Sequence, residues 1–211
     1  MKKEYTTTWK LKTEVSNRIY SGEDFSGTNF NSPIFKNTSF ENCFFSNCKL
    51  DDTRIYDCNF TDCTFSKIDL RGLSIGAHGG IYLNCNFDGC DLRRRSFFSP
   101  EFINTTFSRC KLKAMEPQGS YFENCKFIGK LEDITFYGHF ENDYIKPRKK
   151  ELFHSVDFSD AIFGDFVSFE DCDLSRSTPP AGKSFEELLS PGSATRVGGR
   201  LLTTGELFRP A

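Results

Sequence analysis

An apolar residue recurs at every fifth position over a long stretch of this chain, and this period limits the fold more than any other feature. The α-helix repeats its face every 3.6 residues and the β-strand every second residue, so neither produces a period of five. A fixed repeat of this kind indicates a solenoid built from many copies of one small unit. The first twelve of these central residues are Tyr20, Phe25, Phe30, Phe35, Phe40, Phe45, Leu50, Ile55, Phe60, Phe65, Leu70 and Ile75.

A second column lies two residues before the central one and holds small or compact side chains. All nine cysteines of the chain occupy this position: Cys43, Cys48, Cys58, Cys63, Cys85, Cys90, Cys110, Cys125 and Cys172. We expect them to fill buried structural positions, because a free cysteine behaves as a small hydrophobic residue. The alternative is a metal site, but the recurring Cys-x4-Cys spacing differs from the Cys-x2-Cys of zinc modules. We therefore predict no metal and no cofactor.

A third tendency places Asn, Asp or another small polar residue directly before the central one, as at Asn29, Asn59 and Asp69. Residues 15 to 175 thus resemble the A(D/N)LXX signature of pentapeptide-repeat proteins, with Phe commoner than Leu and with Cys or Thr in place of Ala. The resemblance implies a right-handed quadrilateral parallel β-helix, an all-β solenoid of about six to eight coils. The core would then include Phe25, Phe30, Phe40, Phe45, Phe60, Phe65, Phe87, Phe107 and Phe127, together with Cys43, Cys48, Cys63, Cys85, Cys90, Cys110 and Cys125.

Interruptions of the period predict the boundaries and loops. We expect an N-terminal cap over residues 1–14, the β-helix over 15–176, and a largely flexible C-terminal tail over 177–211. Residues 185–189 of that tail could form a short helix that caps the last coil and shields its edge. The frame also breaks at 76–81, at 114–119 and at 137–152, which predicts two corner loops and one long projecting loop.

The surface charges give two candidate binding regions. The loop 137–152 combines an aromatic and an aliphatic residue with a run of cations, and long loops on rigid scaffolds often carry binding residues. The segment 153–175 is acidic and contains no Lys or Arg. It is either a solvated surface or an imitation of duplex phosphates that occupies a basic DNA channel. The candidates are Tyr144, Ile145, Lys146, Arg148, Lys149, Lys150, His78, Tyr82, Asp157, Asp160, Asp165 and Asp171.

Catalysis is not expected from this sequence. His78, His139 and His154 lie in the irregular segments without a Ser or Cys in a triad-like context, and no nucleotide-binding or metalloprotease motif occurs. The formal net charge of -2 does not favour direct nucleic-acid binding. No signal-like or membrane-spanning apolar segment is evident, so we expect a soluble, cytoplasmic protein with reduced thiols.

The sequence therefore predicts a non-catalytic protein that acts through its surface. Its resemblance to Qnr-type, MfpA-type, albicidin-resistance and microcin-resistance pentapeptide-repeat proteins implies that it protects or modulates DNA gyrase or topoisomerase IV against an antibiotic or toxin. DNA mimicry and loop contacts would carry that activity, and the resemblance leaves a homodimer open. The alternative is a general adaptor or regulatory scaffold unrelated to topoisomerases.

Overall fold

The computed structural model describes residues 7–77, 79–142, 147–188, 195–197 and 200–202, and it is a parallel β-helix with four faces. Each face is formed by short parallel strands of successive coils, with isolated β-bridges where a coil has no strand. Strands that pair lie about 20 residues apart in sequence, or 31 to 33 apart across the long insertion. The coils follow the frame of the central residues, so each pentapeptide supplies one side of the square.

The strands are grouped here by face, in order from the N-terminal coil. Face 1 comprises Glu14–Ser16, Ile34–Lys36, Arg54–Tyr56 and Ser74–Ala77, then Ile134–Tyr137 and Val167–Glu170. Face 2 comprises Ile19–Ser21, Ser39–Glu41, Asn59–Thr61, Ile81–Leu83, Glu101–Ile103, Tyr121–Glu123 and Phe153–His154. Face 3 comprises Phe44–Ser46, Thr64–Ser66, Asn86–Asp88, Thr106–Ser108 and the first half of Lys126–Glu132. Face 4 comprises Thr7–Thr8, Thr28–Asn29, Leu112–Lys113, the second half of Lys126–Glu132, and Ala161–Phe163. A helix, Phe185–Leu188, and an antiparallel pair, Thr195–Val197 and Arg200–Leu202, follow.

The corners depend on a left-handed residue two positions after most central residues. Asn42, Asn47 and Asp62 have φ between 51° and 54°. Asn and Asp tolerate this region better than other residues with a Cβ, because their short polar side chains form local hydrogen bonds. Of the 22 described non-glycine residues with positive φ, thirteen are Asn or Asp. This column of Asn and Asp lies after the central residue, differs from the Asn and Asp positions directly before it, and was not predicted from the sequence.

Two columns of stacked aromatic rings fill the interior. On face 2, Phe60 stacks on Phe40 and on Tyr82, with both pairs of ring centroids 4.8 Å apart. On face 3, Phe65 stacks on Phe45 at 5.0 Å and on Phe87 at 4.6 Å. Stacked aromatic pairs add roughly 0.5–1.5 kcal/mol each beyond the burial of their area. All the Phe and Cys residues named above for the core lie in the buried cluster.

The cysteine column contributes hydrogen bonds as well as packing. The Cys63 thiol donates to the carbonyl of Phe40 (Sγ to O, 3.3 Å), and the Cys125 thiol donates to that of Phe102 at 3.3 Å. Thr105 occupies the same column, and its hydroxyl donates to the Tyr82 carbonyl at 2.9 Å. A small side chain with a donor therefore suits this position. Burial raises the pKa of the Cys125 thiol to about 12, so the thiol is neutral near pH 7.

Aromatic residues close both ends of the core. Trp9 packs on Phe30 with ring centroids 4.8 Å apart, after the strand Thr7–Thr8 has paired with Thr28–Asn29. Phe185 is buried against Phe169 at the other end, with centroids 5.8 Å apart.

Two of the predicted boundaries need correction. Residues 177–188 are not a flexible tail, because the chain continues the β-helix: the Thr178 amide donates to the Val156 carbonyl at 2.9 Å, and the Ala181 amide donates to Ser159 at 3.1 Å. Residues 189–194, 198–199 and 203–211 lie outside the described part of the chain. The segment 114–119 is not a loop that leaves the body either. Met115 and Pro117 are both buried, and Glu116 forms a β-bridge with Ser96.

Substitutions at Cys63 test the inward column. We expect Cys63→Asp to cost several kcal/mol because it buries a charge without a partner, whereas Cys63→Ala should cost about 1 kcal/mol through one lost hydrogen bond. Cys63→Thr is the matched control, since Thr105 shows that the column accepts a hydroxyl. Thermal unfolding followed by circular dichroism ranks the stability of the three variants. Equal effects of Asp and Ala would contradict the inward position of Cys63.

A tyrosine hydroxyl inside the aromatic stack predicts a stabilising substitution. Tyr82 is 2% exposed, and its hydroxyl has no hydrogen-bond partner among the described residues. Because an unpaired buried hydroxyl costs about 1–3 kcal/mol, Tyr82→Phe should raise the melting temperature by at least about 2 °C. The reverse change, Phe60→Tyr, should lower it. A lower melting temperature for Tyr82→Phe would show that the hydroxyl has a partner after all.

Candidate interaction surface

Both large insertions of the β-helix lie at one corner, between face 1 and face 2. The first follows Ser74–Ala77, and the second connects Ile134–Tyr137 to Phe153–His154. Glycines allow the chain to turn here. A Cβ on Gly80 would lie 2.5 Å from the Cys58 carbonyl oxygen, and a Cβ on Gly138 would lie 1.9 Å from that of Asp171. Only glycine fits such close approaches of the backbone.

The long loop is tied at its base, and its described residues 147–152 lie against the body of the β-helix. The Leu152 amide donates to the Gly138 carbonyl at 2.9 Å, which closes the base. Further out, Nη2 of Arg148 lies 3.0 Å from Oδ1 of Asp57, although these residues are 91 positions apart. The same guanidinium fills the space beside Gly79 in the first insertion. Residues 147–152 of the loop therefore lie against the corner, while residues 143–146 lie outside the described part of the chain.

The cations of the loop have different surroundings. Lys149 Nζ lies 5.4 Å from the centre of the Tyr121 ring, a cation–π geometry. Burial raises the pKa of Tyr121, and its hydroxyl donates to Glu123 at 2.7 Å. Lys150 lines a cleft of about 520 Å³ at the base of the loop. The other residues of the cleft are Gly138, His139, Glu151, Phe153, His154, Ser155, Asp171, Asp173, Ser175 and Arg176.

One proposed binding residue is in the wrong place, and four lie outside the described residues. Tyr82 is not on the surface, because it occupies the central position of its repeat on face 2 and is buried in the stack between Phe60 and Phe102. The sequence showed it next to an insertion, which suggested exposure, but the repeat frame assigns it inward. His78, Tyr144, Ile145 and Lys146 lie outside the described residues.

The acidic candidates form a ring around the C-terminal coils rather than a row along the axis. Asp157 and Asp160 lie on face 3, where Lys126 Nζ approaches them at 3.1 Å and 2.7 Å. Asp165 lies at the corner between face 4 and face 1, and Asp171 lies at the next corner; both are exposed. Consecutive residues run around the perimeter of a coil, so a sequence-local acidic segment cannot form an axial row.

Among the described residues, four of the six Arg and Lys residues in the segment 93–113 pair with carboxylates of the same or a neighbouring coil. The other two are Arg94 and Arg95, and Arg95 donates to the carbonyl of Arg71. Asp91 lies 2.7 Å from Arg93 and 3.8 Å from both Arg71 and Lys111. Arg109 pairs with Asp88 in the same way. Face 4 therefore presents alternating charges rather than a uniformly positive surface.

Nothing in the described part of the chain points to catalytic or metal chemistry. Within it, no group of three or more His, Cys, Asp or Glu residues is placed to hold a metal ion. The buried Cys58 thiol has its pKa raised to about 11 by burial, which disfavours the nucleophilic thiolate. Among the described residues, no helix is long and apolar enough to cross a membrane.

Comparisons with known proteins agree with the repeat. Residues 35–66 match the family model described as Pentapeptide repeats, in eight copies. No curated protein sequence matches the chain. A solved structure with a similar fold is HetL, a pentapeptide-repeat protein involved in heterocyst differentiation regulation from the cyanobacterium Nostoc sp. strain PCC 7120. It is 12% identical, the alignment covers 83% of this chain and 78% of HetL, and the TM-score is 0.44.

Another similar structure is full-length QnrB1, a plasmid-mediated fluoroquinolone resistance protein. It is 18% identical, with 80% of this chain and 87% of QnrB1 covered and a TM-score of 0.30. At such low identity and TM-score, neither relative is evidence for a function of this chain. Residues 35–66 therefore carry pentapeptide repeats, and the five-residue frame and the four faces continue beyond them in the described part of the chain.

Proposed function

We propose that this protein binds DNA gyrase or topoisomerase IV and protects or modulates it against an antibiotic or toxin. The observation that carries the proposal is the shared corner of the two insertions, where Arg148 joins the long loop to Asp57 and to the space beside Gly79. A binding loop that is held against a rigid scaffold loses less conformational entropy when a partner binds. The corner thus offers a preorganised surface, as the sequence resemblance to the Qnr-type proteins implies.

The acidic ring has a secondary part in this proposal. DNA presents its phosphates in rows along the duplex, whereas the carboxylates of Asp165 and Asp171 lie on different corners of the same end of the β-helix. The ring can meet a basic protein surface at that end, but it does not reproduce a phosphate row. Loop contacts, rather than DNA mimicry along the axis, are therefore the main element of the proposed binding.

The same ring favours the second candidate function, a general protein-binding adaptor without a link to topoisomerases. An adaptor needs a rigid body with separate contact regions and does not need a phosphate-like row. The corner loop and the acidic end are two such regions. The two functions differ in one measurable property, which is the effect of the protein on purified gyrase.

A deletion restores the frame and removes the loop. Phe136 and Phe153 are 17 residues apart, so deleting 139–150, twelve residues, leaves the regular spacing of five. If the loop binds gyrase, the wild-type protein restores supercoiling in the presence of a fluoroquinolone. The deletion variant should then need at least about tenfold more protein, as expected when an interface loses its main contacts.

The deletion variant must also be shown to fold. Its circular dichroism spectrum and melting transition should resemble those of the wild type, because the deletion leaves the central residues in frame. Equal protection by both proteins would remove the loop from the mechanism. No effect of the wild-type protein on gyrase or topoisomerase IV, with or without the inhibitor, would favour the adaptor.

The Arg148–Asp57 contact predicts a change in loop order with little change in stability. Both side chains are about half exposed, and an exposed ion pair contributes about 0–1 kcal/mol. Arg148→Asp should therefore lower the melting temperature by no more than about 4 °C. It should also increase hydrogen exchange in residues 139–151. The double variant Arg148→Asp with Asp57→Arg should restore slow hydrogen exchange in residues 139–151. Unchanged exchange in the single variant would contradict the contact.

A further inference from the structure

A phenylalanine occupies a strained turn near the C-terminal end of the β-helix. Phe166 lies in the six-residue step from Phe163 to Phe169, between face 4 and face 1, and its φ is 57°. A bulky side chain is an outlier in this region, because its Cβ crowds the neighbouring carbonyl. Phe166 is the one aromatic among the described non-glycine residues with positive φ, most of which are Asn or Asp. Asn at this position would relieve the strain.

Packing does not compensate for this strain. Phe166 is 79% exposed, and Ile162, on the last strand of face 4 before this corner, is 66% exposed. Apolar area that stays in water gives no hydrophobic stabilisation. The two exposed apolar residues lie four positions apart, Ile162 on face 4 and Phe166 at the corner that leads to face 1. They are called here the apolar patch, and this corner is separate from the one that carries the two insertions.

Carboxylates border the patch. Asp165 directly precedes Phe166, and Asp133 lies one coil below, with its amide donating to the Asp165 carbonyl at 2.8 Å. Both aspartates are exposed. Glu132 pairs with Lys113 and also with Lys130, whose Nζ lies 2.5 Å from it, so these nearby lysines are already paired. Lys130 also pairs with Ile162 across the sheet and lies beside Gly164. The three carboxylates still outnumber the two lysines around the apolar patch, and this net negative charge disfavours nucleic acid as the occupant.

We infer that Phe166, with Ile162 beside it, is an anchor that inserts into an apolar pocket bordered by Lys or Arg on the partner protein. This inference rests on the proposed function, so the partner is the topoisomerase. An aromatic residue that fills a pocket on a partner contributes strongly to binding, so Phe166 would add to the contacts of the loop. Opposite charges around the pocket add specificity and speed association. The anchor accounts for an aromatic residue that strain and exposure both disfavour.

The test separates binding from stability. Phe166→Asn should raise the melting temperature by about 2–4 °C, because it removes the strain. The same variant should bind purified gyrase at least about tenfold more weakly than the wild type. Ile19→Asn is the matched control, since Ile19 is 71% exposed at the opposite end, and it should leave the affinity unchanged. Asp165→Lys should also weaken binding.

Each contrary outcome has a separate meaning. If gyrase binds Phe166→Asn as tightly as the wild type, the anchor is wrong and the proposed function stands. If the wild type does not bind gyrase or topoisomerase IV at all, the proposed function fails and the inference fails with it. A lower melting temperature for Phe166→Asn would mean that the chain itself covers the residue. A change from dimer to monomer would mean that a second copy covers it. Either result would overturn the inference.

Discussion

The structure depends on the in-register stacking of short strands that have the same inward pattern. Each coil pairs its backbone with the coils below and above it, so Phe40 faces Phe60 and Phe45 faces Phe65 across the sheet. This register places like side chains directly on top of each other, and planar rings at such spacing can stack in parallel. The many phenylalanines and the column of thiols follow from that constraint. Each pentapeptide must present side chains of similar size and shape at its two inward positions to the coils above and below.

The five-residue period predicted a solenoid and most of its interior, because period and burial have the same physical cause, and the resemblance to pentapeptide-repeat proteins implied the four-sided coil. Phe87 and Cys90 could be assigned inward from their position in the frame alone. The period does not determine where an interruption leads. A loop that connects Tyr137 to Leu152 can project or fold back onto the body. The sequence does not show the contact of Arg148 with Asp57, which holds residue 148 against the body. Tyr82 was misplaced because its closeness to an insertion was given more weight than its frame position.

The surface was harder to predict than the interior for a geometric reason. Neighbours in sequence are spread around a coil, while neighbours along one face are about 20 residues apart. The acidic segment that contains Asp157 and Asp171 therefore became a ring, and the pairs that neutralise Asp91 came partly from other coils. Charge in such a protein has to be counted by column rather than by segment. The left-handed turn column, which holds Asn42 and Asp62, could have been found in the same way.

The contact between Arg148 and Asp57 also bears on how the molecule folds. In repeat proteins each unit normally touches only its immediate neighbours, so unfolding can begin at one end and proceed coil by coil. Arg148 belongs to the connection between Phe136 and Phe153, whereas Asp57 belongs to a coil well below it. A link that bypasses the intervening coils makes the opening of those coils depend on each other. The loop thus couples the opening of the coils that it spans, by no more than the roughly 0–1 kcal/mol of an exposed ion pair.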